Sequence, residues 1–220
     1  MDFVYVCRNG ENEELRYSIR SVVKYFDDAV IWVVGGKPNW YSGNFIEVKD
    51  SGHKFQNIHD AYVAIVKEEK ISNKFILMND DFFILKHQNF YNYYSGFLKD
   101  KIISHSTQYG NTSYARALNE AVKELKIRGI KEPLNYDIHT PMVFEKPLLA
   151  QILGLSLAPR SLYGNLFIDD GINIQDVKIY KNTKEIDLNN NFISTEDNSF
   201  SLIKDQFSRM FKEKTKYEKS

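Results

Sequence analysis

The sequence predicts an α/β fold in which a mostly parallel sheet carries helices on both faces and a small C-terminal elaboration follows. Three observations predict it. β-branched and aromatic runs alternate with segments of helical period from the N-terminus to residue 85, which is the rhythm of βαβ units. The chain has 220 residues, long enough for one well-buried core, since single cores extend to ~250 residues. It holds no internal repeat and no low-complexity linker that would divide it.

The first strand is read over residues 3–6 and the second over 29–34, and between them Leu15, Ile19, Val22, Val23 and Phe26 recur at helical spacing. Asn12 is suited to cap that helix, with Glu13 and Glu14 in the first turn, where the macrodipole favours acids. Gly35-Gly36-Lys37-Pro38 ends the second strand, and residues 45–48 form a short third one. A second helix presents Ile58, Ala61, Tyr62, Ile65 and Val66 on one face and leads into a strand over 74–78.

Beyond residue 85 the alternation loosens. Tyr114, Ala117, Leu118, Ala121, Val122 and Leu125 predict one more amphipathic helix, and residues 147–153 a shorter one ended by Gly154. Residues 182–199, rich in Asn, Asp, Thr and Ser, read as a loop. After it Phe200, Ile203, Phe207, Met210 and Phe211 make an apolar stripe beside Lys204, Arg209, Lys212 and Lys214. A basic amphipathic helix of this kind either lies on a membrane or a partner, here through residues 200–216, or packs back onto its own domain. The expected organisation is a domain over residues 1–181 followed by the loop and basic helix of residues 182–220.

Hydrophobic residues make up 43% of the chain and charged residues 26%, the balance of an ordinary globular protein, and the formal net charge is zero. No global electrostatic attraction to nucleic acid follows from that, only local basic patches. Cys7 is the single cysteine; it excludes an intramolecular disulfide, fits a reducing compartment, and is either a buried strand-end residue or a catalytic thiol. The N-terminal stretch has an acid at Asp2 and reaches Arg8 after one short apolar run, so it predicts neither a secretory signal nor a membrane span. The expected location is the cytoplasm.

Residues 75–85 read Phe-Ile-Leu-Met-Asn-Asp-Asp-Phe-Phe-Ile-Leu, an apolar run interrupted once. Isolated carboxylates are costly to remove from water unless paired or bound to a cation. Asn79, Asp80 and Asp81 fall at the C-terminal end of a strand, the edge at which open α/β sheets bind ligands. Hard oxygen ligands there suit Mg²⁺ or Mn²⁺ carrying substrate phosphates. The alternative is a turn in which the Asp side chains cap local N–H groups.

Arg16 and Arg20 lie one helical turn apart and repel unless something negative sits between them, either a phosphate, whose oxygens match the guanidinium fork, or a carboxylate such as Glu13 or one from across the fold. His139, in Asp137-Ile138-His139-Thr140-Pro141, leads into an apolar strand. It is a general base, a metal ligand, or a hydrogen-bonded strand residue, with Asp137 placed to orient its ring. Arg160 and Asn165 belong to a polar cluster in which Gly164 would let a ligand approach the backbone. Arg8 and Lys54 complete the set grouped as donor-phosphate ligands. Asp169-Asp170-Gly171 is read as a turn outside the site.

Here the chain resembles a family. Residues 14–21, the strand over 30–34 with Gly36-Lys37-Pro38-Asn39-Trp40, residues 75–83 ending in the acid pair, and His139-Thr140-Pro141 resemble the signature elements of the Stealth family of sugar-phosphate transferases, together about half the chain. The family's opening Trp-Val-Asp-Gly element is absent. The acid pair is equally similar to that of GT-A-type glycosyltransferases, whose fold is Rossmann-like. These resemblances imply a GT-A-like, metal-dependent nucleotide-sugar transferase. They give it a divalent Mn²⁺ or Mg²⁺ on Asp80 and Asp81, phosphate contacts from Arg16 and Arg20, and catalytic roles for His139 and Asp81. The implied partners are a nucleotide-sugar donor and an acceptor hydroxyl on a glycan, with a modified nucleobase as a second acceptor class. Hexose-1-phosphate transfer of the Stealth type is the alternative chemistry, and a catalytically silent sugar-nucleotide or glycan binding module the alternative class.

Overall fold

The computed structural model describes residues 1–196 and 198–219. In chain order the elements are β1 (Asp2–Cys7), α1 (Glu13–Tyr25), β2 (Val30–Gly35), β3 (Asn44–Glu47), α2 (Lys54–Lys67), β4 (Lys74–Asn79), β5 (Phe82–Ile84) and β6 (Tyr93–Tyr94). Then come α3 (Leu98–Tyr109), α4 (Ser113–Ile127), β7 (Met142–Glu145), α5 (Lys146–Ala150), α6 (Pro159–Phe167), β8 (Ile172–Asn173), β9 (Phe192–Ser194), a 3₁₀ turn (Phe200–Leu202) and α7 (Lys204–Met210).

The main sheet has the order β3-β2-β1-β4-β7. β1, β2, β3 and β4 run parallel and β7 closes the edge antiparallel to β4. Both faces are covered. Phe75 and Leu77 of β4 point into one apolar cluster with α2, α4 and α6, while Ile76 and Met78 point into another with Leu15, Ile19 and Val22 of α1. That period of two, apolar on both sides, is what a central parallel strand requires. Chain connections leave β1 toward β2 and β3 on one side and reach β4 on the other, so the order reverses between β1 and β4. Open α/β sheets bind ligands in the crevice at that reversal.

Local chemistry starts and stops these elements where expected. The Asn12 side chain accepts from Leu15 N at 2.9 Å and opens α1; Thr112 does the same for α4 through Ala115 N at 3.2 Å. Gly35 ends β2 at φ +109°, and a side chain there would collide with the Cys7 carbonyl. α3 and α6 were not foreseen, and neither was β9, which lies inside the stretch read as a loop and pairs antiparallel with β5. Leu98 alone is buried in α3, so no apolar stripe marks it. α6 buries Arg160 and Ser161 alongside Leu162 and Tyr163, so its polar residues disguise an interior helix.

Of the two readings of the stripe within residues 200–216, contact with a membrane or partner and packing onto its own domain, the structure shows the second. Phe200, Ile203, Phe207 and Phe211 are buried against Tyr17 of α1 and Phe83 of β5, and Lys204 pairs with Glu13 at 2.8 Å. The same apolar face cannot serve two surfaces, and the protein's own core takes it. Among the described residues no helix is long and apolar enough to cross a membrane.

Candidate functional site

β4 ends opposite β1, with Asn79 in register with Val6, and the chain turns through Asp80 and Asp81 at the sheet's reversal point. Asp80 accepts a hydrogen bond from the Asn12 side-chain amide, the same residue that caps α1, so the helix start and the acid are held together. Asp81 is less satisfied. Its Oδ2 lies 3.7 Å from Lys178 Nζ, its buried Oδ1 has no hydrogen-bond partner, and only its backbone carbonyl is fully engaged, by Thr195 N at 3.1 Å. Burial, and then the charge of Asp80, push the Asp81 carboxyl up to about 7.

Two neighbouring carboxylates, one with an unpartnered buried oxygen, fit a hard divalent cation. Among the described residues no group of three or more His, Cys, Asp or Glu side chains is placed to hold an ion. A cation held by these two carboxylates alone would leave the rest of its shell to water and substrate phosphate, an arrangement that Mg²⁺ and Mn²⁺ accept.

The segment before β7 brings His139 alongside. Its Nδ1 is 2.7 Å from Asp176 Oδ2, and its backbone N–H donates to Asp176 Oδ1 at 3.3 Å. The expected partner, Asp137, is not the one that orients the ring, because its carboxylate engages the Tyr114 hydroxyl instead. Burial lowers the imidazole below its ordinary value by more than Asp176 raises it, and Lys178 and Lys101 lower it further. For Asp176 burial pushes upward, but the hydrogen bonds and charge of His139 outweigh it and hold the carboxyl below its usual range. A carboxylate only accepts, so Nδ1 carries the proton and Nε2 keeps its lone pair. Asp176 was not singled out from the sequence. It alternates with Lys178 along an extended stretch that looks like ordinary surface, yet that stretch, paired through residues 177–179 with β9, brings Asp176 to His139 and Lys178 to Asp81.

Arg160 and Asn165 are used inside the protein. Arg160 is 8% exposed and donates to the carbonyls of Tyr136 at 3.4 Å, Ile138 at 3.1 Å and Thr140 at 2.6 Å, so it shapes the loop that carries His139. The Asn165 amide binds Leu134 N at 2.7 Å and Leu134 O at 2.8 Å. Their acceptors are backbone oxygens where phosphate had been expected. The close approach at Gly164 is made by the Tyr136 ring, where a ligand had been foreseen.

Arg20 places its fork on Glu218, with contacts of 2.8 and 2.7 Å, and donates to the Phe211 carbonyl at 3.1 Å. The negative group beside the arginines is thus a carboxylate from the far end of the chain. Arg16 lies over the Trp40 ring at 4.8 Å with Nε 3.7 Å from Glu218, buried and without a hydrogen bond. Arg8 and Lys54 are exposed at the end of β1 and the start of α2. A cleft of about 540 Å³ opens at the C-terminal ends of β1, β2 and β3, lined by Asn9, Lys37, Phe45, Glu47, Lys49 and Asp50 among others. Cys7 is buried and its thiol is pushed up to about 12, chiefly by that burial and then by Asp80, which leaves it protonated and unreactive.

No family model and no curated protein sequence matches the chain. The fold, however, matches that of a solved galactosyltransferase, LgtC, in complex with donor and acceptor sugar analogues. The alignment covers 98% of this chain and 96% of that one, with a TM-score of 0.50 and 10% sequence identity. Two structures of the glycosyltransferase GlyE from Streptococcus pneumoniae TIGR4 overlap more loosely. They have TM-scores of 0.33, identities of 7% and 9%, and coverage of 57% and 79% of this chain against 43% and 45% of theirs.

Proposed function

We propose that the protein is a nucleotide-sugar-dependent glycosyltransferase that moves a sugar from its donor to an acceptor hydroxyl, most simply one on a glycan. One observation carries this reading: Asp81, with a buried oxygen that has no hydrogen-bond partner, stands next to Asp80 at the sheet's reversal point, at the end of the strand that pairs with the one His139 leads into, and a carboxylate fixes that histidine's tautomer. The shared fold with LgtC supports it. A divalent ion held by Asp80 and Asp81 would neutralise the donor diphosphate as a leaving group.

The chain's own residues account for the rest. The cleft along β1, β2 and β3 takes the nucleoside, and Arg8, at its rim next to Asn9, supplies positive charge for phosphate. Lys178 lies between the acids and the histidine, 3.7 Å from Asp81 and near enough for its charge to act on His139. His139 takes the acceptor proton at Nε2, Asp176 holds the tautomer, and Arg160 holds the loop. Arg20 is assigned to structure through Glu218, whereas Arg16, without a hydrogen bond at Nε, remains a donor-phosphate residue.

The test is product analysis with a panel of nucleotide sugars, Mn²⁺ and mixed glycan acceptors. Release of nucleoside diphosphate is the expected result. Nucleoside monophosphate would replace the reading with sugar-1-phosphate transfer, and binding without any turnover would replace it with a silent binding module.

A further inference from the structure

Beside the dyad of His139 and Asp176 stands a group of aromatic side chains that the proposed chemistry leaves unused. Lys101, His105 and Tyr109 are spaced four apart and so share one face of α3. The His105 ring is 4.9 Å from that of Tyr109 and 4.8 Å, edge-on, from that of Tyr114 at the start of α4; Phe55, at the start of α2, stacks behind Tyr114 at 6.3 Å. His105 is fixed further by a 2.8 Å hydrogen bond between its Nε2 and Thr112 Oγ1. Tyr109 is 58% exposed, and Tyr180, which follows Lys178 by two along the same extended stretch, is 44% exposed. The wall adjoins the proposed acceptor side. Tyr114 reaches Asp137, two residues before His139, and the charge of Lys101 is felt by His139, Asp176 and His105 alike.

We propose that Tyr109, Tyr114 and Tyr180, braced by His105 and Phe55, form the acceptor subsite, on which a pyranose ring of a glycan chain stacks next to His139. This rests on the glycosyltransferase reading. The C–H face of a pyranose is apolar and weakly positive, which matches the negative face of an aromatic ring, and phenol hydroxyls at the rim bind the sugar's equatorial hydroxyls. Tyr presents that surface at little conformational cost, having two side-chain torsions to fix. A donor nucleobase would also stack, but the nucleoside cleft shares none of its lining residues with this wall. Continuity with the dyad therefore selects the acceptor.

Saturation-transfer NMR with a panel of galactosyl, glucosyl and N-acetylglucosaminyl disaccharides tests the proposal without requiring turnover. In the wild-type chain at least one disaccharide should be saturated most strongly at its ring C–H protons. Its affinity should fall roughly three- to tenfold in Tyr109→Ala and in Tyr180→Ala, the scale of one aromatic contact, and stay unchanged in Ile127→Ala, a change at an exposed α4 position. Absence of saturation for every sugar, or equal saturation in the two Tyr variants, overturns the proposal, as does loss of UDP or GDP binding in place of sugar binding in Tyr109→Ala. Calorimetry of UDP and GDP with Mn²⁺ on the same samples separates the two readings. Sugar binding that depends on the wall, with no nucleotide binding, would keep the subsite and remove the glycosyltransferase.

Discussion

Glu218 and Asp81 are two carboxylates with little solvent contact, 4% and 18% of their side chains, and the protein treats them in opposite ways. Glu218 receives two donors from Arg20 at 2.8 and 2.7 Å and a third from Thr215 N at 3.0 Å. Burial pushes its pKa upward, but these hydrogen bonds outweigh it and hold the carboxyl below its usual range. Asp81 has one ammonium at 3.7 Å, an orphaned oxygen and a like charge next door, and its carboxyl is pushed up to about 7. A matched charge needs nothing further, whereas an unmatched one marks a candidate site, which is the role proposed for Asp81. Between these two carboxylates, the clamp at Glu218 and the candidate site at Asp81, the difference lies in how many donors each receives.

The contrast breaks most visibly at the acids. Asp81→Asn, and with it Asp80→Asn, should lower metal-dependent turnover roughly 10³-fold or more while leaving the fold intact. Because the folded pKa of Asp81 lies above its ordinary 3.8, this group costs stability increasingly as pH rises from there through about 7. Asp81→Asn should therefore melt at or above the wild-type temperature at pH 8 without metal, and Mn²⁺ should stabilise the wild type more at pH 8 than at pH 6. Full activity of both variants at limiting Mn²⁺ would end the metal assignment.

At the histidine the expected loss is roughly 10²–10⁴-fold in maximal rate for His139→Ala, with donor binding retained. Since burial lowers the imidazole below its ordinary value, the acidic limb of the wild-type rate profile should fall below pH 6.5 and vanish in the variant. A variant rescued by high Mn²⁺ would make His139 a ligand. One that unfolds more easily but turns over normally per folded molecule would make it a strand residue.

At the clamp the effect should appear in stability. Glu218→Gln leaves Arg20 buried without its counter-charge, at a cost of roughly 3–5 kcal/mol in denaturant unfolding near neutral pH. The folded pKa of Glu218 is lowered, so its contribution is present above the ordinary carboxylate range and is lost as pH falls below it. The two proteins should converge in acid. Unchanged stability with tighter nucleoside diphosphate binding would return Arg20 to the donor site.

The smallest effect is expected at Arg16→Lys, which keeps the charge and loses the fork. Affinity for a nucleoside diphosphate with metal should fall by about 1–3 kcal/mol in calorimetry. No change would leave Arg16 as a partner of Trp40 and Glu218.

What the sequence revealed follows the reach of each interaction. β1, α1, β2, β3, α2 and β4 were legible because period and caps act over a few residues, and the acid pair was legible because it breaks an apolar run. The partners were not. Asp176 reaches His139 across 37 residues, and Glu218 reaches Arg20 across 198, separations at which no local pattern survives. Arg160 and Asn165 show a different blindness, for a buried guanidinium or amide offers the same donors to a backbone carbonyl as to a phosphate, and composition cannot tell which oxygen will be there. α7 was visible as an amphipathic stripe; whether its apolar face met a membrane or Phe83 depended on what stood opposite.

The clamp also sets an order of events during synthesis. The Tyr217 hydroxyl donates to the Ala29 carbonyl at 2.7 Å and accepts from Ile31 N at 3.3 Å, and Ser42 N donates to the Tyr217 carbonyl at 2.9 Å. Arg20 is translated 198 residues before the carboxylate that caps it. Contacts of such sequence separation slow folding. Until residues 215–219 are made, Arg16 and Arg20 lack the carboxylate that faces them in the folded chain, so this clamp is fastened among the last contacts to form.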